Sequence, residues 1–340
     1  MAPQPDDRLL PCNWHDLNDK LAIWHAYQTD LRHRGYHIMG SELYKTLGEG
    51  DDYTPPPPSD PFHPTNEENF VHHLNPCGLY FSRNFSCWQP GVDICFGIDR
   101  HRRQVVLKAV PTESPELKAL HLFSGPSLRA DKRNRVIPVL DFVETAHDFV
   151  IIIMPAWGLC WQSPPCGSMT TRGELAMKLT ETLQFLHANG VAHGDIHPLN
   201  IVINHLDSRN FSESNENDFR LSSNIEYAYI DFGSAHTFTP GVSSCGSPRT
   251  IPPEGISSPE QKAAADEENL DINLFAADVY NLGKTLEQEL CAAFEAYGER
   301  HIPDPREYKK ILWDMTSEPS RRPTATEVVG SLSALFQQHT

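Results

Sequence analysis

Residues 193–200 read His-Gly-Asp-Ile-His-Pro-Leu-Asn, and Asp231-Phe232-Gly233 follows later in the chain. In the first stretch a carboxylate, Asp195, stands five positions before an amide oxygen, Asn200; in the second, a carboxylate, Asp231, precedes a phenylalanine and a glycine. Oxygen donors such as Asn200 and Asp231 suit a hard cation like Mg2+. Asp195 could then accept or orient the proton of an acceptor hydroxyl. These are the groups that phosphoryl transfer needs, because that reaction depends on positioning and charge stabilisation more than on covalent chemistry. Gly233 permits a close turn after Asp231. Each motif alone is weak, since Asp-Phe-Gly also occurs in ordinary turns. The two in this order, each beside an apolar run (Ile201-Val202-Ile203 and Tyr229-Ile230), form a much stronger signal.

Such groups work only if rigid elements hold them. From about Gly78 the chain breaks into short β-rich runs. Val92 to Ile98 and Gln104 to Val110 read as strands joined by the charged turn Asp99 to Arg103. Pro115 to Leu122 reads as a short helix starting after Ser114. Arg135 to Val143 and Phe149 to Met154 read as two more strands. After Pro155 the pattern turns helical. Arg172 to Ala188 carries Leu175, Leu179, Leu183 and Leu186 on one face and stops at Asn189-Gly190. Asn273 to Leu290, Pro305 to Thr316 and Thr324 to Gln337 read as further helices. Between the two motifs, residues 205–223 are polar and read as a surface loop insertion. Residues 1–77 read as an N-terminal extension, with a helical pattern over Trp14 to Tyr36 and a linker containing Pro55-Pro56-Pro57-Pro58. The expected class is α+β.

Composition narrows the partners. A chain of 340 residues with a formal net charge of -17 is expected neither to bind nucleic acid generally nor to adhere to anionic membranes. A basic protein partner is compatible with that charge, which also serves solubility. The 8 cysteines include no Cys-x-x-Cys pair, so they read as reduced thiols in an intracellular protein, cytoplasmic or nuclear. Met1 to Asp16 has early acids and no apolar core, unlike a secretory signal. Phe149 to Met154, the longest apolar run, is too short to span a bilayer.

Over about residues 79–337 these motifs resemble the eukaryotic-type protein kinases. Val105-Val106-Leu107-Lys108 is similar to the strand whose lysine pairs with ATP phosphates. The resemblance implies a carboxylate partner for Lys108 on the following helix: Glu116, or alternatively Glu113. It implies that Asp195 orients the acceptor, that Asn200 and Asp231 hold Mg2+ or Mn2+, and that Met154-Pro155-Ala156-Trp157 is the hinge beside the adenine. Gly246 to Glu254 resembles the end of the activation segment. Asp278-Val279-Tyr280-Asn281-Leu282-Gly283 resembles a helix start whose Asp holds the catalytic loop. Arg321-Arg322-Pro323-Thr324 resembles the site of a late arginine, which would make Arg322 the partner of Glu254. The implied fold is bilobal. Residues 78–154 would form a small β-rich lobe with one main helix, and 155–340 a larger, mostly helical lobe.

The chain also departs from that pattern. Ser86-Cys87-Trp88-Gln89-Pro90-Gly91 stands in place of a glycine-rich loop, and only Gly91 sits where a family glycine would. Trp88 and Pro90 would reshape the cover over the phosphates. Gly194 replaces the arginine that receives an activation-segment phosphate, so activation is expected not to depend on one. His197 replaces a phosphate-contacting lysine. The loop is similar, too, to that of aminoglycoside and choline phosphotransferases. Three readings follow: ATP- and Mg-dependent phosphorylation of Ser/Thr on a protein substrate, a pseudokinase acting as a scaffold, and a small-molecule phosphotransferase. The first is the leading expectation.

Overall fold

In the computed structural model, residues 17–39, 72–73, 93–100, 103–158, 166, 168–206, 225–239, 245–246, 256–266, 270–297 and 305–337 are described. They group into two compact units: one within Met1–Thr112 and Pro138–Ala156, the other within Glu113–Ile137 and Trp157–Thr340. The proline-rich stretch, the segment Ser86–Gly91 and most of the polar insertion lie outside the described residues.

The first unit is a five-stranded antiparallel sheet in the order β1-β2-β3-β5-β4. Its strands are β1 (His37–Met39), β2 (Ile94–Ile98), β3 (Gln104–Pro111), β4 (Asp141–Glu144) and β5 (Phe149–Pro155). Strand β3 alternates buried and half-buried side chains, as a sheet with one covered face requires, whereas β5 is buried along its whole length. The 99–103 turn is pinned by Asp99, whose carboxylate accepts from the Arg103 backbone N–H at 2.9 Å and from its Nε at 2.7 Å. The edge strand β1 pairs with β2 in the register His37↔Ile98 to Met39↔Phe96. Gly97 makes that pairing possible, because a Cβ there would lie 2.7 Å from the His37 carbonyl oxygen. Helix α1 (Leu17–His33) precedes β1 and buries Trp24, Tyr27 and Leu31 in one core with Val105, Leu107, Ile151 and Ile153. Part of the extension is therefore integral to the sheet, where the sequence had suggested a separate segment.

The second unit holds α2 (Pro115–Ser124), α3 (Pro126–Arg129), α4 (Met169–Ala188), α5 (Pro259–Asp266), α6 (Leu274–Tyr297), α7 (Arg306–Met315) and α8 (Ala325–Gln337). Helix α2 starts at Ser114, whose hydroxyl accepts from the Leu117 N–H at 3.1 Å. It groups with this unit. Helix α4 starts at a Ser168–Thr171 capping box and buries Leu175, Leu179, Leu183 and Leu186 completely. Its Arg172 and the Glu289 of α6 form a fully buried ion pair at 3.0 Å, and Arg172 also donates to the Cys166 carbonyl at 2.7 Å. Short ladders join β6 (Val191–Ala192), β7 (Ile201–Ile203), β8 (Tyr227–Tyr229) and β9 (His236–Thr237): β8 pairs with β7, and β9 with β6. A further pair is β10 (Cys245–Gly246) with β11 (Ile272–Asn273).

One expected strand is shorter than its sequence suggests. In place of Arg135 to Val143, the strand is Asp141–Glu144, and Val136 makes a single bridge to Tyr229. Pro138 cannot donate to a ladder, which explains the interruption. Among the described residues no helix is long and apolar enough to cross a membrane.

Candidate active site

The 193–200 loop leaves β6 and enters β7 through a 3-10 turn at Pro198–Asn200. Asp231 follows β8, the antiparallel partner of β7 in the register Tyr229↔Ile201. That hairpin brings the two motifs together: the Ile230 N–H donates to the Asn200 carbonyl at 3.0 Å.

Within the loop, Asn200 Nδ2 donates to Asp195 Oδ2 at 3.0 Å and to the Asp195 carbonyl at 2.9 Å. With Nδ2 committed, Oδ1 is the amide atom that can meet a cation. Asp195 Oδ1 is buried and makes no hydrogen bond among the described residues. His197 Nε2 lies 3.6 Å from it, inside ion-pair range and beyond a hydrogen bond. Asp231 is exposed and left-handed, with φ 61° and ψ 72°. Among the described residues it is the only non-glycine with positive φ. Aspartate tolerates that region better than most residues, and such strain gathers at working sites.

Below the loop the structure is buried and specific. Phe232 is fully buried against Phe123 of α2 and against His193, with ring centroids 6.2 and 4.6 Å away. His193 Nε2 meets the Ile230 carbonyl at 3.0 Å, and Nδ1 faces the Asp195 N–H at 3.3 Å. This pattern assigns the proton to Nε2. Burial pushes the His193 pKa down, against the opposing pull of Asp278, Asp195 and Asp231, so the ring is held neutral. Asp278, fully buried on α6, accepts from the His193 and Gly194 N–H groups at 2.8 Å each and sits 3.1 Å from His187 Nε2. Gly194 adopts φ +80°, and a Cβ there would run into the Ser234 carbonyl oxygen. This backbone conformation favours glycine.

Asp195, His197, Asn200 and Asp231 therefore converge in the second unit, where Glu116 also lies. Glu116 is buried on the first turn of α2. Its alternative, Glu113, is exposed and bonded to Lys118 at 2.9 Å, which lowers the Glu113 pKa. In the first unit, Lys108 stands on β3 between Ile94 and Ile152, and Met154 pairs with Val106. Met154 and Ala156 are buried, and the Ala156 N–H donates to the Gln104 carbonyl at 3.0 Å. Gly91 lies outside the described residues.

The expected partner of Arg322, Glu254, lies outside the described residues. Arg322 meets both carboxylate oxygens of Glu260. Its remaining N–H groups donate to the Ala276 carbonyl at 2.7 Å and to the Ser317 carbonyl at 3.2 and 2.9 Å. All five donors are engaged by described residues. The chain has two Pro-Glu pairs, at 253–254 and 259–260, and the second is the one that meets the arginine. Gln261, which also escaped the sequence reading, donates through Nε2 to the Gly194 carbonyl at 3.0 Å.

Asn200 and Asp231 fit a hard cation by donor type, since both offer oxygen and such ions complete their shells with phosphates and water. Among the described residues, no three or more His, Cys, Asp or Glu form a metal-binding group. No protein-family model matches this chain, and no curated protein matches it in sequence.

Proposed function

We propose that this chain transfers the γ-phosphoryl group of ATP, with Mg2+ or Mn2+, to Ser or Thr hydroxyls of a protein substrate, on a bilobal kinase-like fold. One observation carries the reading. Asp195 has one carboxylate oxygen fixed by Asn200 and the other buried without a hydrogen bond among the described residues, in a loop tied to left-handed Asp231. A buried carboxylate oxygen left open in this way supports a role in accepting a hydrogen bond from an incoming hydroxyl. Bound metal would neutralise charge on the phosphates, with Asn200 and Asp231 as its protein ligands. Lys108, Glu116, Met154 and Ala156 keep the roles that the kinase resemblance gives them.

The test is Mg2+- or Mn2+-dependent autophosphorylation and transfer to a generic basic protein, comparing wild type with Asp195→Asn. We expect transfer by the wild type and a loss of about 100-fold or more in the variant, the scale of general-base removal. Equal transfer by both would remove Asp195 from the chemistry. No transfer, with ATP failing to raise thermal stability, would favour a scaffold role. Phosphate appearing only on a metabolite would favour a small-molecule acceptor.

A further inference from the structure

Gln261 lies on the first turn of α5 and is 1% exposed. Its Oε1 accepts from the Ser258 N–H at 2.9 Å, and its own N–H donates to Ser258 Oγ at 3.3 Å. That reciprocal pair is a capping box, a sufficient structural reason for Ser-x-x-Gln here. The box uses only the oxygen end of the side chain. The other end, Nε2, reaches across to the Gly194 carbonyl at 3.0 Å. Asn281 Nδ2 donates to Gln261 Oε1 at 3.0 Å, so two donors on the oxygen and one acceptor on the nitrogen fix the orientation of the amide.

The Gly194 carbonyl belongs to the peptide plane that leads into Asp195. The N–H of that plane faces His193 Nδ1 at 3.3 Å, and the preceding plane is held by Asp278 through the Gly194 N–H at 2.8 Å. Gly194 is the place where this backbone could rotate most easily, because glycine has the widest φ/ψ freedom. Rotation of the plane would swing the Asp195 carboxylate away from Asn200 and from an acceptor.

We infer that Gln261 is a positioning residue: its amide ties the start of α5 to the peptide plane before Asp195 and holds that carboxylate in its working orientation. The inference rests on the reading of Asp195 as the group that orients the acceptor hydroxyl. It also gives the segment preceding α5 a mechanical route to the reacting carboxylate that is separate from the Glu260–Arg322 pair.

Gln261→Glu is the informative variant. Glutamate keeps an oxygen for the Ser258 N–H and for Asn281, and replaces the donor to Gly194 with a charged carboxylate oxygen that repels the Gly194 carbonyl. Gln261→Met, uncharged and of similar length, is the second variant should a carboxylate there prevent folding. Thermal unfolding, local amide exchange over residues 193–195, and kcat and KM for ATP are measured for both against wild type. We expect kcat to fall about 10- to 100-fold, the scale of a small misplacement of a reacting group. We expect KM to stay within about 2-fold, since the nucleotide contacts are untouched. Exchange at 193–195 should quicken while α4 and α6 remain protected. Unchanged kcat together with unchanged exchange at 193–195 in a folded variant would overturn the proposal and leave Gln261 a cap. Absence of transfer in the wild type would count against the function, and local exchange would still decide the positioning role.

Discussion

The neutral ring of His193 gives the site an acid limit. Burial lowers the pKa of His193 from its ordinary 6.5 in the folded protein. Above 6.5 the ring is neutral in both folded and unfolded chains and costs nothing. As pH falls below 6.5 the unfolded chain takes up a proton that the folded chain resists. Stability contributed by the neutral ring is therefore present above that value and lost below it, by at most about 1.4 kcal/mol per pH unit for one proton. We expect the urea midpoint to fall between pH 7.5 and 5.5, and to fall less in His193→Gln, which keeps a donor and an acceptor without titrating. An equal fall in both proteins would assign the acid sensitivity elsewhere. Gly194, next in the chain, makes the complementary point: its left-handed backbone and the Ser234 carbonyl beside it leave no room for a side chain.

At the scale of elements, the α5 start and the residues before α8 are joined by one ion pair. Arg322 has a fully buried side chain, and the Glu260 side chain is 13% exposed. Removing one partner of such a pair leaves an uncompensated charge, at a cost of about 3–5 kcal/mol. Glu260→Ala should lower stability on that scale in chemical denaturation, whereas Glu254→Ala should leave the pair closed and the midpoint near wild type. An equal loss at Glu254 would transfer the partnership there. One helix start was legible before any contact was known: Ser114 precedes a helix and its hydroxyl accepts from the Leu117 N–H, whereas α4, expected from Arg172, begins at Met169 after a Ser168 cap. The strand expected from Arg135 failed where local pattern and hydrogen-bonding capacity disagreed, at Pro138.

At the scale of the whole molecule, each unit has its own core. Trp24, only 2% exposed, sits among sheet residues of the first unit. Trp24→Ala should therefore destabilise that unit by about 3–5 kcal/mol through lost burial and a residual cavity. Amide exchange should quicken in β1, β2 and β3 while α4 keeps its protection; a wild-type pattern in the sheet would show that α1 is dispensable. For the same reason a truncation near Gly78, designed to ask whether the extension is inhibitory, would also remove a strand and a share of the core. Loss of activity in such a truncation would report on folding before it reported on regulation.

The sequence alone indicated α1, α2, α4, α6, α7 and α8, the main sheet-forming runs and the chemical kinship of Asp195, Asn200 and Asp231, but not α3 or α5. These signals are local: apolar period, caps and short spacings act within a few residues. Tertiary structure decided which partners those elements found. Arg322 met Glu260 across 62 positions, Gln261 acquired a second contact beyond its cap, and α1 joined the sheet because its apolar face needed cover. Such pairings join residues tens of positions apart, and they are set by packing that no local pattern encodes.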